Sequence, residues 1–141
     1  MLSESIVYGC IRDMADARVP DRQRVNREAM LALPRAESWP VLSREMFSLT
    51  DQSGTDLAFH TEVMHFGASY QGIEYEWKHW IEQFENLLRQ MYWVSAVVHL
   101  ETELSGNHSF LWEANGSCHR PGEDVTNVRC EWVHESWLSA G

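Results

Sequence analysis

From Ile73 to Met91, the apolar residues are Ile73, Trp77, Trp80, Ile81, Phe84, Leu87, Leu88 and Met91. After the first, each falls three or four positions beyond an earlier one, which is the period of an α-helix with one wide apolar stripe. Glu74 and Glu76 stand in the first turn and Arg89 in the last, as the helix dipole prefers. Gly72 precedes the run and marks its start. A helix that carries two tryptophans and a phenylalanine on one stripe must lay that stripe against a sheet or other helices. This segment therefore fixes the layer around which the rest of the chain is arranged.

The flanking segments have the period of strands. Ile6–Arg12 alternates, with Ile6, Tyr8 and Cys10 on one face and Val7 and Ile11 on the other. Asp21 is placed to cap a helix over Arg22–Leu33 that ends before Pro34, with Val25, Ala29, Ala32 and Leu33 as its apolar stripe and Met30 at the flank. Glu45–Thr50 predicts a second strand, Asp51–Asp56 a hairpin turn around Gly54, and Leu57–Ser69 a third strand. After the long helix, Tyr92–Val98 predicts a strand apolar on both faces that continues through His99–Leu104. Ser105-Gly106-Asn107 forms a turn, Phe110 and Trp112 alternate in the next strand, Asn115–Asp124 is a loop, and Val128–His134 is a final strand. The order is β-α-β-β-α-β-β-(β), an α+β fold with a mainly antiparallel sheet and two helices on one face. Its first six elements follow the ferredoxin-like order. At 141 residues the chain fits one domain, 1–141, with 44% apolar and 23% charged residues and no repeat or low-complexity segment.

Charge narrows the partners. The net charge is −10, and its distribution is uneven. Residues 1–45 hold seven basic and seven acidic residues, whereas residues 46–141 hold four basic against fourteen acidic. A field of that sign repels phosphate, so nucleic acid is not the expected partner, and it speeds encounter with a basic one. The N-terminus has neither the basic start nor the apolar core of a signal peptide, and the apolar run Met91–Leu100 is too short to cross a bilayer. Cys10, Cys118 and Cys130 are an odd set without a CxxC, which fits a reducing compartment; a Cys118–Cys130 pairing is neither required nor excluded. The expected setting is the cytoplasm, away from membranes, with the chain a monomer or weak homodimer.

Three groups carry candidate chemistry. His99, Glu101 and Glu103 are spaced by two and share a strand face, with His108 across the turn, so together they offer ligands for a divalent transition metal. A metal-binding or metal-dependent enzymatic domain centred on these four residues is the alternative functional reading. His60, Glu62 and His65 form a second group, split between two faces. His119, Asp124 and His134 can meet only through tertiary structure. No nucleophile elbow, HExxH, Walker A or dinucleotide-binding glycine pattern occurs. The acidic residues Glu74, Glu76, Glu82 and Glu85 of the helix, with Glu101, Glu103 and Glu113 of the strands and Trp112 as an aromatic anchor, outline a surface for a basic protein.

The opening SESIVYGCIRDM and the stretch HFGASYQGIEYEWKHWIEQFENLLRQMYWVSAVVHLETELSGNHSFLWE resemble immunity proteins encoded beside Rhs-type and related polymorphic toxins of Gram-negative bacteria, including those delivered by type VI secretion. The resemblance spans Glu4 to Glu113. It implies a small, acidic, cytosolic, single-domain inhibitor that is not an enzyme, uses no cofactor and occludes one cognate toxin domain. Such families share no common binding motif, so the resemblance assigns a role and no site residue.

Overall fold

The N-terminal alternation becomes the centre of a sheet. In the computed structural model, which describes residues 4–14, 22–34, 42–48, 61–103, 106–114, 118–125 and 128–131, β1 runs from Glu4 to Met14. α1 follows at Arg22–Leu31, β2 at Phe47–Ser48, β3 at Thr61–Gln71, α2 at Trp77–Arg89, β4 at Ser95–Thr102, β5 at Gly106–Glu113 and β6 at Val128–Glu131. The strands form one sheet in the order β2-β3-β1-β4-β5-β6. Every pairing is antiparallel. The order β2-β3-β1-β4 with a helix in each crossover is the split arrangement expected from the sequence, and β5 and β6 extend it beyond β4.

One face of this sheet is covered and the other is open. Val7 and Ile11 of β1, Met64 and Phe66 of β3, Ala96, Val98 and Leu100 of β4 and Trp112 of β5 are all buried on the covered face. They pack with Ala29 and Met30 of α1 and with Trp80, Phe84, Leu87 and Leu88 of α2 in one core, so both helices lie on that face. The stripe of α2 is the one the sequence predicts, with Trp77 and Ile81 at its half-buried margin. Its first turn differs: Ile73–Glu76 is a 3₁₀ turn that opens at Gly72, whose φ of 69° is the left-handed conformation glycine adopts without strain. Aromatic rings run through the core, from Phe47 to Phe66 at 5.3 Å, Phe66 to Phe84 at 5.3 Å and Phe84 to Trp112 at 5.1 Å. Trp77 and Trp80 stack at 5.0 Å above them. The indoles of Trp80 and Trp93 find acceptors, whereas the buried Trp77 Nε1 meets none among the described residues. Trp80 Nε1 donates to the Tyr70 hydroxyl at 3.1 Å, which itself donates to Met46 Sδ at 3.0 Å, and Trp93 Nε1 donates to the Leu88 carbonyl at 2.8 Å.

α1 is rotated from the predicted stripe. Its buried residues are Arg22, Asn26, Ala29 and Met30, while Ala32 is exposed. Arg22 donates from Nε to Asp13 Oδ2 at 2.9 Å and from Nη2 to Oδ1, and its guanidinium lies 4.9 Å from the Tyr92 ring centroid. Asn26 binds the Tyr92 backbone twice, from Nδ2 to the carbonyl at 2.8 Å and from the Tyr92 N–H to Oδ1 at 2.7 Å. Burial pushes the Asp13 carboxyl up from its ordinary value against the pull of Arg22. Desolvation opposes the charge on Arg22, but Asp13 and the Cys118 thiol outweigh it and hold the guanidinium above its ordinary value. These polar groups can be buried because each meets its complement.

Three further expectations change. Where the sequence predicts the second strand, Glu45 and Met46 belong to a 3₁₀ turn, Arg44–Met46, and Phe47–Ser48 form β2, while residues 49 and 50 lie outside the described residues. Tyr92–Val94 is not a strand: Trp93 makes an isolated bridge to His119, and β4 begins at Ser95. The third strand, described over Thr61–Gln71, runs past the expected end at Ser69, and residues 57–60 lie outside the described residues. The expected Asp21 cap, the Asp51–Asp56 turn and the tail from Trp132 lie outside the described residues.

Candidate functional site

Strand alternation decides which candidate residues can meet. On β1 the even positions point to the open face, and Ile6, Tyr8 and Met14 are 44%, 39% and 39% exposed. Register places Tyr8 between Gly67 of β3 and His99 of β4, and His99 opposite Ser109 of β5. Ile6 lies between Ser69 and Glu101, and Cys10 between His65 and Val97. This row-by-row order builds the one organised polar group on the open face of the described sheet.

Tyr8 is its centre. Its hydroxyl donates to Glu101 Oε1 at 3.0 Å, and its ring meets the His99 ring at 4.9 Å between centroids. His99 Nδ1 lies 2.9 Å from Ser109 Oγ. Partial burial and the Glu101 carboxylate both push the Tyr8 phenol up, which keeps it a donor. At the top of the same face Ser69 Oγ donates to Glu4 Oε1 at 2.7 Å. A hydroxyl beside an imidazole is the first half of a nucleophile and base pair. The second half is missing among the described residues: Glu101 is bound to Tyr8 and makes no bond to His99. What the group does is hold an aromatic ring upright and fixed on an exposed sheet.

The proposed four-residue metal cluster is not brought together. His99 and Glu101 are on the open face, but His108 pairs with Leu100 and lies, 8% exposed, on the covered face. Glu103 stands exposed beyond the end of β4. The hairpin register accounts for the split, because a shift of one residue moves a side chain to the other face. Among the described residues no three His, Cys, Asp or Glu side chains are arranged to hold an ion. His65 reaches the open face away from His99, His60 and His134 lie outside the described residues, and Asp124 is exposed.

The acidic surface also divides. Glu76 and Glu82 are exposed on the helix layer, whereas Glu101 and Glu113 belong to the opposite, open face. The helix and sheet carboxylates therefore do not form one continuous surface. The side chain of Glu74 lies outside what is described. Trp112 is fully buried and donates from Nε1 to Glu85 Oε2 at 3.0 Å. It is a core residue and not a partner anchor, and Glu85 serves it. The exposed ring on the open face that sequence analysis did not single out is Tyr8, whose signal was the alternation of Ile6, Tyr8 and Cys10 on one face of β1.

No helix among the described residues is long and apolar enough to cross a membrane. No protein-family model, curated protein or solved structure matches the chain.

Proposed function

We propose that this is a non-enzymatic binding protein that docks a basic protein on the open face of its sheet. In the role implied by the resemblance, it is a cytoplasmic immunity protein that occludes one cognate toxin domain. The observation that carries the reading is the composition of that face. Of the five large hydrophobic side chains exposed among the described residues, Ile6, Tyr8 and Met14 stand on one central strand and face the same way. Glu4, Glu101 and Glu113 lie around them on the same face, with the exposed Arg12 between Tyr8 and Met14 as the basic residue of β1 there. An apolar centre with a charged rim is the anatomy of a protein interface, and a rigid tyrosine is a favoured anchor. The acidic rim selects a basic partner. α2, whose apolar stripe is spent on the core, is the lesser surface.

The test uses the purified chain and the toxin domain encoded beside it. Association slows as salt rises, and Glu101→Lys with Glu113→Lys lowers k_on further. Tyr8→Ala raises k_off, with urea unfolding as the check that the fold survives loss of the Glu101 and His99 contacts. The role fails if the two proteins form no complex at low salt, or if cells carrying the toxin gene tolerate deletion of this one. The surface fails, with the role intact, if a tight complex is indifferent to the open-face variants. A second copy of the chain on this face would appear as a dimer that the Tyr8 variant dissolves, and that outcome also overturns the reading.

A further inference from the structure

We propose that His119 is a proton-operated clamp that fastens the segment 118–123 across the C-terminal end of α2. The ring is 5% exposed and both its nitrogens are engaged. Nδ1 lies 2.9 Å from the Met91 carbonyl oxygen, and Nε2 lies 2.8 Å from the Glu123 carbonyl oxygen. A carbonyl oxygen only accepts, so each of these bonds needs an N–H on the ring. A neutral imidazole carries one N–H and an imidazolium carries two. The full set of bonds therefore exists only in the doubly protonated ring. In the neutral ring a nitrogen lone pair faces a carbonyl oxygen, either at the buried Met91 contact or at the part-buried Glu123 contact, and one of the two must open.

The surroundings accept a cation. Met91 lies two residues past Arg89, the last residue of α2, where the helix presents its negative pole. The Trp93 ring stacks on His119 at 4.8 Å and 17°, offering a π face to the charge. The charged and titratable side chains on the elements packed here are Arg89 at the end of α2, Cys118, Arg120, Glu123 and Asp124 on the segment itself, and Arg22 and Asp13 beyond Cys118. The Glu123 carboxylate is turned to the Arg120 N–H at 2.7 Å, and so it faces its own turn.

Opening one end of the clamp frees more than one bond. The segment is tied down by the His119 N–H to the Trp93 carbonyl at 2.7 Å, the Trp93 N–H to the His119 carbonyl at 3.3 Å, and the Gly122 N–H to the Arg89 carbonyl at 2.8 Å. All three bonds are close to the imidazole. Proton loss to solvent therefore loosens the corner in which α2 hands over to β4.

The test is amide hydrogen exchange of Gly122, His119 and Trp93 from pH 5 to pH 9, corrected for intrinsic exchange and read beside the ring titration of His119 by NMR. Protection of these amides falls about tenfold as the ring loses its second proton, the loss of one charge-assisted bond at a buried site. Amides of β1 and β4 stay level. In His119→Gln, whose amide donates at one end only, protection is lower and no longer follows pH over this range. A wild-type protection that stays level while the ring titrates overturns the proposal. So does the same pH response in His119→Gln, or a ring that holds a single proton throughout.

Discussion

Removing the Asp13 carboxylate tests the idea that α1 is held to the sheet by a buried ion pair. Asp13 is 1% exposed and Arg22 3%, so neither charge has water to fall back on. Asp13→Ala takes the carboxylate from a guanidinium that also lies beside the Tyr92 ring and the Cys118 thiol. Breaking a buried pair from one side costs about 3–5 kcal/mol, because the survivor stays buried and uncompensated. Whole domains have only about 5–15 kcal/mol of stability, so the variant stands near its unfolding limit. Replacing both partners behaves differently. Asp13→Leu with Arg22→Met removes both desolvation costs and restores apolar packing, and its stability is within about 2 kcal/mol of the parent. Urea unfolding of the two singles and the double closes a mutant cycle, with an unchanged m-value as the check that the denatured state is the same. An Asp13→Ala loss under about 1 kcal/mol would refute the reasoning, because the guanidinium would then have found solvent. A double variant as weak as the single would refute it too, since charge would not be the cause.

Phe84→Ala empties the meeting point of Phe66, Trp80 and Trp112 and costs about 3–5 kcal/mol in the same assay. Glu85→Ala leaves the buried Trp112 N–H without its carboxylate and costs about 1–3 kcal/mol, and a loss confined to surface levels, about 0.5 kcal/mol, would show that the bond is unimportant. Burial pushes the Tyr70 phenol up from 10.0 to about 12. The folded state holds this proton more tightly than the unfolded chain. The resulting stabilisation is therefore complete below pH 10 and is lost as pH rises toward 12, up to about 3 kcal/mol at about 1.4 kcal/mol per unit. Denaturation at a series of alkaline pH values shows that slope in the parent and a shallower one in Tyr70→Phe.

Legibility in the sequence followed the kind of side chain that carried the structure. Where apolar residues did the packing, as in Ile73–Met91, the pattern named the buried stripe almost residue by residue. Where polar residues did it, the pattern misled. Arg22 and Asn26 look like a solvent face, and only their partners Asp13 and Tyr92, distant in sequence from Asn26, reverse that reading. The α+β order was visible because each strand carries alternation and each helix its longer period. Register was not, since the turn after Glu103 settles whether His108 joins His99 or faces away, and hydrophobicity carries no such information. Trp112 was misread for a related reason: an indole has a polar edge that suits either a partner or a core acceptor, and Glu85 supplied the second.

The central position of β1 has a kinetic consequence. This strand comes before both of its neighbours in the chain, which are Thr61–Gln71 and Ser95–Thr102. Its ladder on one side waits for β3 and on the other for β4, after α2 has been made. The β4–β5 hairpin, by contrast, closes over a short turn as soon as it is synthesised. Contacts of such long sequence separation slow folding, because loop-closure entropy is lost before the ladder repays it. During that interval Ile6 and Val7 are exposed together on an unpaired strand, so the nascent chain is most vulnerable to misassociation then. A circular permutation that starts the chain at β3 would bring β1 out after both of its neighbours, so that neither ladder waits for a strand still to be made, without touching a single core residue.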